Sequence, residues 1–562
     1  MDTRYTIKNF RKFNQEGATV RFSPITILTG ANSSGKSSIV KSLVVFESYL
    51  SQVVDHFRKT TEFRPDLYSL DFSNSLLGLG RFVKSFNRSA ENESKMSFEY
   101  SVMSRLLGEE MFVEYSFIED KQDKLDNGKL SDVIIYNSDR EVILHIDYTS
   151  PQRIIKVERL INWKKPFLNF SIYSIKCSCE FRLNLANKIH QNELEAIRME
   201  LLDVDKIPFT ATGQEESMYK LWFKTNGYGT SFPYTYKSYD TIKSIIADCQ
   251  FFDPMLGENI APDTILDMSI ASYIESTLGY DSELSRKLAL CHIDRNSELS
   301  MAVSIDNAFN YYINEVFKEI LLPSFVANIK YVGSSRIVLK RLYFLDDNSN
   351  DFGELFRNYL GIEKKAQKMS PSDYIQSFDY YPGHFMKKWL RKFDVAYDIE
   401  IQTNREGQGI EVRLFDTIDD KEGHLLADEG YGITQLLALL LNIEVAMFEN
   451  KTLTLTVEEP EVHLHPKYQS LLADMLLDAC KNNVHFIVET HSEYLIRRSQ
   501  VLVSQMGFET NEESDNKSPF RTIYVPEEGS PYNLFYRKDG KFAESFGPGF
   551  FDEASRLMFE IL

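Results

Sequence analysis

Residues 30–37 read Gly30-Ala31-Asn32-Ser33-Ser34-Gly35-Lys36-Ser37, and no other stretch limits the architecture of this chain as tightly. The octapeptide satisfies G-x-x-x-x-G-K-[ST], a loop that works only between a buried strand and the first turn of a helix. Both neighbours are present. The apolar run Ile25-Thr26-Ile27-Leu28 precedes it, and Ser38-Ile39-Val40-Lys41-Ser42-Leu43 follows with helical spacing. Gly30 and Gly35 let the backbone turn and aim N–H groups at a polyphosphate, helped by the positive end of the helix. Gly30, Asn32, Ser33, Ser34, Gly35, Lys36, Ser37 and Ser38 are the expected nucleotide-binding residues. Lys36 is expected to reach the β- and γ-phosphates, and the Ser37 hydroxyl to ligate Mg2+. The implied ligand is a nucleoside triphosphate.

The rest of the chain is long for one core: 562 residues call for two or three structural units. A formal net charge of −19 argues against a broad nucleic-acid-coating surface, which needs clustered Lys and Arg. A local basic patch, or action through a basic partner, stays open. The cysteines (Cys177, Cys179, Cys249, Cys291, Cys480) have no paired C-x-x-C spacing and suit a reducing cytosol. Cys177 and Cys179 fall in an alternating run and read as strand residues rather than as a metal site. Met1-Asp2-Thr3-Arg4-Tyr5 lacks the apolar core of a signal peptide. The apolar stretch Leu436 to Leu441 is far too short to cross a bilayer. A cytoplasmic protein without membrane contact is expected.

Three blocks follow from the patterning. Residues 1–185 hold the octapeptide and then strand-like segments at Met96–Val102, Met111–Phe117, Val133–Tyr136, Val142–Tyr148, Arg153–Leu160 and Phe167–Ile175. Their period-two alternation and intervening turns predict antiparallel β-structure. Residues 186–395 turn helical, with three/four spacing in Leu194-Ile197-Leu201, Ile270-Ile274-Leu278 and Ala308-Tyr312-Val316-Ile320. No sustained heptads occur, so no long coiled coil is expected. Residues 396–562 begin with strands at Tyr397–Ile401 and Ile410–Phe415, then alternate helix and strand as α/β organisation requires.

The last block supplies the second half of a nucleotide site. Thr452-Leu453-Thr454-Leu455-Thr456-Val457 is a buried-strand run that ends in Glu458-Glu459-Pro460-Glu461. Carboxylates at the end of a hydrophobic strand form a Walker B arrangement, with Glu458 placed for Mg2+ and Glu459 for the general base. Lys36 and Glu458 lie 422 positions apart, a spacing similar to that of ABC-type ATPases with an insertion in the head. Asp428-Glu429-Gly430-Tyr431-Gly432-Ile433-Thr434-Gln435 resembles the ABC signature loop. Phe486-Ile487-Val488-Glu489-Thr490-His491-Ser492-Glu493 resembles the switch strand whose histidine, here His491, senses the γ-phosphate.

The wording of the motifs most resembles the "overcoming lysogenization defect"-like branch of ABC/AAA ATPases. Its hallmark appears as Glu458-Glu459-Pro460-Glu461-Val462-His463-Leu464-His465-Pro466; Ile7–Phe13, Ile329–Arg336 and Gly547–Glu553 look similar as well. The resemblance implies an ABC-type head, a mixed sheet with flanking helices plus an antiparallel β lobe, interrupted by a largely helical insertion. It implies ATP and Mg2+ as ligands and catalytic roles for Lys36, Glu459 and His491. It also implies a homodimer or higher oligomer, in which Gly430, Gly432 and Thr434 of one copy touch the γ-phosphate held by another. His463 and His465 alternate beside a Glu-rich run, but there they read as structure rather than as metal ligands. Arg336 and Arg341 could link the insert to the nucleotide or to a partner-facing surface, with surface salt bridges as the equal competitor.

Members of this branch often carry a C-terminal nuclease. Here about 70 residues follow His491, with no acidic cluster and no His-Asn-His pattern. The chain is more similar to stand-alone ATPase subunits of antiphage systems, Septu-type ATPases and those encoded beside retrons. A separate His-Asn-His nuclease is then the expected partner, with a retron reverse transcriptase and its RNA/DNA as a further candidate. Nucleic acid would be met mainly through these partners. The competing reading is an SMC-like DNA-repair ATPase acting on DNA directly, which calls for long heptads and a basic groove. A slow ATP sensor and a transporter ATPase are weaker alternatives.

Overall fold

The computed structural model of the chain describes residues 3–60, 63–73, 77–89, 95–104, 109–120, 127–149, 154–157, 251–253, 258–260, 292–293, 319–321, 328–333, 340–344, 351–368, 382–404, 409–449, 452–508, 510–511, 518–546 and 560. The chain opens with a hairpin, β1 (Thr3–Lys8) and β2 (Ala18–Phe22). Strand β3 (Ile25–Thr29) then runs into the octapeptide and helix α1 (Lys36–Thr60). Next come β4 (Ser69–Leu70), the short α2 (Phe82–Ser85), β5 (Met96–Ser104), β6 (Glu109–Glu119), β7 (Gly128–Tyr136), β8 (Val142–Asp147) and β9 (Ile154–Val157). The short strands β10 (Phe251–Asp253), β11 (Glu258–Ile260) and β12 (His292–Ile293) form a small sheet of their own. They are followed by β13 (Ile329–Val332), β14 (Tyr343–Phe344), α3 (Asp351–Lys368), α4 (His384–Lys392), β15 (Asp398–Thr403), β16 (Gly409–Phe415) and β17 (His424–Leu425). The last part alternates α5 (Tyr431–Glu449), β18 (Leu453–Glu458), α6 (Pro466–Cys480), β19 (Val484–Glu489), α7 (Glu493–Met506), β20 (Phe520–Tyr524) and β21 (Tyr532–Leu534).

Two large sheets result. Among the described residues, one has the strand order β13-β18-β19-β3-β20-β21. Its first five strands are parallel, and β21 adds an antiparallel edge. The other runs β2-β1-β5-β6-β7-β8-β9, antiparallel throughout, with β4 beside β7. The α/β class therefore holds, with mixed and antiparallel sheets as expected.

Period-two geometry explains how the layers meet. Leu28 on β3, Ile487 on β19 and Ile523 on β20 join one hydrophobic cluster with α1 and the antiparallel sheet. Ile25, Ile27, Phe486, Val488 and Phe520 point the other way, into a second cluster with α3–α7. Helix α1 is thus clamped between the sheets by Ile39, Val40, Leu43, Phe46, Leu50 and Val53, all 0–1 % exposed. Burying each such side chain is worth about 1.5–3 kcal/mol. Phe46 stacks on Phe98 with ring centroids 5.2 Å apart, tying α1 to β5. The helix that carries the phosphate loop is among the best-anchored elements of the molecule.

Helix α5 is long and apolar enough to pass for a membrane span by composition. Its Leu436, Leu437, Leu439, Leu440, Leu441 and Ile443 are buried in the second cluster, so core packing accounts for that apolarity. Glu444, also fully buried, accepts hydrogen bonds from the Gly383 and Met386 N–H groups at 2.9 and 2.6 Å. One carboxylate on α5 therefore satisfies the open N-terminal donors of α4.

The strands expected at Met96, Met111, Val133, Val142 and Arg153 correspond to β5–β9; Phe167–Ile175 and the 194–202 and 270–278 periodicities lie outside the described residues. The block expected to be helical also holds the short strands β10–β14. Ile329–Val332 is a strand, and it pairs with β18 in parallel register, Tyr331 opposite Thr456. Its Ile-Lys-Tyr-Val composition suits a pleated, half-buried edge. The nucleotide-bearing sheet therefore draws a strand from inside the 186–395 block, while α3 and α4 in the same block are helical.

Candidate functional site

All five residues of β3 are buried, and the chain leaves the sheet at Gly30 with φ of 144°. A Cβ on Gly30 would lie 2.1 Å from the Val525 carbonyl oxygen, so the loop passes where only a glycine fits. Gly35 has φ of 109° and packs under the Phe13 ring. Hydrogen bonds to the Gly35 carbonyl from Ser38 and Ile39 N–H, 3.0 and 3.1 Å, start α1. Asn32 and Ser33 stand exposed at the rim of the loop, while Ser34 and Ser38 are buried. The Ser34 hydroxyl has no protein partner. Lys36 is 3 % exposed and folds back inside the loop, donating to the Gly30 and Ala31 carbonyls at 3.0 and 2.7 Å. Burial holds its ammonium below the usual lysine range, opposed by the charges of Glu489, Glu459 and Glu461.

The parallel register brings three strand ends to one level. Glu458 pairs with Glu489, and Glu489 with Leu28. Ligand chemistry in open α/β sheets collects at such carboxyl ends. The Ser37 hydroxyl donates to Glu489 Oε1 at 2.7 Å. Glu458 Oε1 and Glu489 Oε2 are buried with no hydrogen-bond partner. Burial raises both carboxyls. Glu489 is pushed up to about 7, with the Ser37 bond opposing; Glu458 is raised against the pull of Lys41 and Tyr331. A hydroxyl and two carboxylates with free buried oxygens suit an oxygen-ligated dication such as Mg2+, so the residues fit the metal the octapeptide implies. Among the described residues, no group of three or more His, Cys, Asp or Glu could hold a metal ion without such help. His463 has φ of 66° in the turn, and His465 Nδ1 accepts from Lys467 N–H at the start of α6.

Glu459 leaves the strand alternation with φ of 46°, a conformation that costs a non-glycine residue about 1–2 kcal/mol. Its N–H donates to the Glu489 carbonyl at 2.8 Å, fixing the kink. Two residues on, Glu461 accepts from the His491 N–H at 2.7 Å, and Thr490 N–H bonds the Leu28 carbonyl at 3.0 Å. Ser492 then caps α7. The switch turn is thus pinned on both sides while the His491 side chain stays exposed. Partial desolvation and the charge of Lys36 hold its imidazole below the ordinary histidine range, opposed by Glu459.

The segment resembling a signature loop enters from the far side. Gly430 is exposed, with open space where a side chain would go. Gly432 lies against the His463 carbonyl, and Gln435 Nε2 donates to the Glu458 carbonyl at 2.8 Å. Thr434 is 5 % exposed, buried in the first turn of α5. Asp428 pairs with Arg341 at 3.2 Å and Glu429 with His424 at 2.5 Å, tethering the loop. For Arg341 the salt-bridge reading is therefore the one observed; Arg336 lies outside the described residues.

Lys36, Ser37, Glu458, Glu459 and His491 meet at one edge, and α5 reaches it through Gln435 and Gly432. Sequence reading missed Glu489, Glu461 and Gln435. Their only signal was adjacency to a recognised motif, because register across non-consecutive strands is not written in a single sequence.

Residues 1–496 match the family described as AAA ATPase domain. No curated protein matches the sequence. Among solved structures, an Smc head domain with an extended coiled coil bound to the C-terminal domain of ScpA, from Pyrococcus furiosus, is 13% identical. It overlaps with a TM-score of 0.31, covering 100% of this chain and 99% of that one. An Smc head domain with a coiled coil and joint from Pyrococcus yayanosii is 12% identical, with a TM-score of 0.35 and the same coverage. Overlaps this loose leave the architecture resting on its own strand registers.

Proposed function

Because the chain belongs to the AAA ATPase domain family, we propose that it is an ATPase whose nucleotide state controls a partner, with Lys36, Ser37, Glu458, Glu459 and His491 as the working residues. The observation that carries this reading is the convergence of the octapeptide with Glu458 and Glu489 at adjoining strand ends. Loop N–H groups and Lys36 would bind the phosphates of ATP. Ser37 and Glu458 would hold Mg2+, whose charge offsets that developing on the phosphates. Glu459 would orient the attacking water and take its proton. The His491 imidazole would form a hydrogen bond at the γ-phosphate end.

Gly430, exposed at the start of α5, supports a second element of the reading: that a second copy completes the site. Gly430 and Gly432 N–H groups and the Thr434 hydroxyl would face the partner copy's triphosphate. ATP would then bridge two copies, and its loss would release them. The motif resemblance to the "overcoming lysogenization defect"-like branch, in its stand-alone antiphage form, supports a cytoplasmic complex with a separate His-Asn-His nuclease, with a retron reverse transcriptase complex as the further candidate. Direct action on DNA is disfavoured by the net charge of −19.

Turnover by wild type, Lys36→Ala and Glu459→Gln tests the site. Both variants should lose at least about 100-fold; equal turnover in all three removes these residues from the mechanism. Co-purification with a neighbouring nuclease, with and without ATP, tests the partner: association indifferent to nucleotide refutes control by ATP state.

A further inference from the structure

Glu489 has no role in the scheme above, yet it holds the Ser37 hydroxyl. It is the last residue of β19 and sits directly beside Glu458 in the parallel register. Adjacent strands lie about 4.8 Å apart, and residues paired in register project to the same face. The two carboxylates therefore emerge side by side, 8 % and 5 % exposed. Each keeps one oxygen that is buried and without a partner.

Such a pair is unfavourable by itself. A buried polar atom without a hydrogen bond costs about 1–3 kcal/mol, more when charged, and like charges at this spacing repel. The Lys36 ammonium, whose charge acts on Glu489, is engaged by the Gly30 and Ala31 carbonyls. Lys41 and Arg11 act on Glu458 only through space, and Tyr331 lies beside it. What the pocket lacks is a compact positive charge with several oxygen sites to fill.

We propose that Glu489 is a second carboxylate facing the nucleotide's cation. With Glu458 and the Ser37 hydroxyl, it lets the head load a divalent, oxygen-ligated cation before any nucleotide arrives. The inference rests on the reading of Ser37 and Glu458 as the cation end of the site. A site with one carboxylate leans on phosphate oxygens to retain Mg2+, whereas added ligand charge raises affinity without them. The cation then precedes the nucleotide and presets the loop for its phosphates.

The test is Mn2+ binding to the full-length, EDTA-stripped protein, read from the paramagnetic resonance signal of free Mn2+. Titrations are run without nucleotide and again with saturating ATP. Wild type should bind one Mn2+ per chain without nucleotide, displaced by Mg2+. Glu489→Gln should weaken that binding at least about tenfold, as should Glu458→Gln. Glutamine keeps an oxygen to accept the Ser37 hydroxyl, and melting curves verify folding; the wild-type titration stands regardless. Absence of nucleotide-free Mn2+ binding by wild type at millimolar metal overturns the proposal. So does a Glu489→Gln protein that binds like wild type while Glu458→Gln does not, with the cation reading of Glu458 intact. If neither substitution alters Mn2+ binding with ATP present, the underlying assignment of the cation end falls with it.

Discussion

Replacing Gly30 by alanine puts the geometry of the loop to a quantitative test. Two penalties add at this position. The φ of 144° is one that side chains rarely adopt, costing about 1–3 kcal/mol. The new Cβ would also sit 2.1 Å from the Val525 carbonyl oxygen. That carbonyl cannot swing away freely, because the Val525 N–H is bonded to the Thr29 carbonyl at 2.8 Å and β20 pairs with β3 just before it. Relieving such overlap by backbone shifts costs about 1–3 kcal/mol more. The sum, about 2–6 kcal/mol, is a large share of the ~5–15 kcal/mol that keeps a protein folded. Gly507→Ala is the matched control: its φ is 73° but nothing lies within 4 Å of the added methyl, so it should cost only about 1–2 kcal/mol. Urea unfolding of both variants, with ATP affinity measured in parallel, gives the comparison. The reasoning is refuted if Gly30→Ala is no less stable than Gly507→Ala and binds ATP like wild type.

Other expectations follow from individual residues. Glu444→Ala strips the Gly383 and Met386 N–H groups of their acceptor and should destabilise by about 2–6 kcal/mol in urea unfolding; a change under ~0.5 kcal/mol would mean that water replaces the carboxylate. Glu47 has its carboxyl raised by burial from 4.5 to about 7, with the Ser51 hydrogen bond opposing. Between those pH values its folded form holds a proton that the unfolded chain releases, so this contribution is complete below pH 4.5 and is lost as pH rises through 7, about 3 kcal/mol in all. Glu47→Gln should flatten the stability profile across that window, and an unchanged profile would assign it to other groups. Glu461→Gln keeps an acceptor for the His491 N–H and should retain turnover better than Glu461→Ala; equal loss in both would point to a role for charge rather than positioning.

The parts of the fold that were legible are those encoded over short distances. The octapeptide between an apolar run and an amphipathic helix identified β3 and α1, and alternation in Met96–Asp147 identified an antiparallel sheet. What stayed hidden depends on long-range pairing. Nothing in Val484–Glu489 announces that it inserts between β18 and β3, which is what sets Glu489 against Ser37. The strand character of Ile329–Val332 is masked by its four-residue length within helical surroundings. Glu444 reads as an ordinary polar residue in an apolar helix until α4 is seen to begin against it.

The central claim is that one copy's octapeptide works with another copy's Gly430 loop, and mixing two inactive variants tests it most directly. Lys36→Ala disables the phosphate loop; Gly430→Asp places a carboxylate in open space at the exposed start of α5, where it would repel a facing triphosphate. Each alone should be inactive. Mixed in equal amounts, they should recover ~25% of wild-type ATP turnover, because half the dimers then contain one intact composite site of two. A mixture that stays as inactive as its components, with subunit exchange verified, would contradict a site shared between copies.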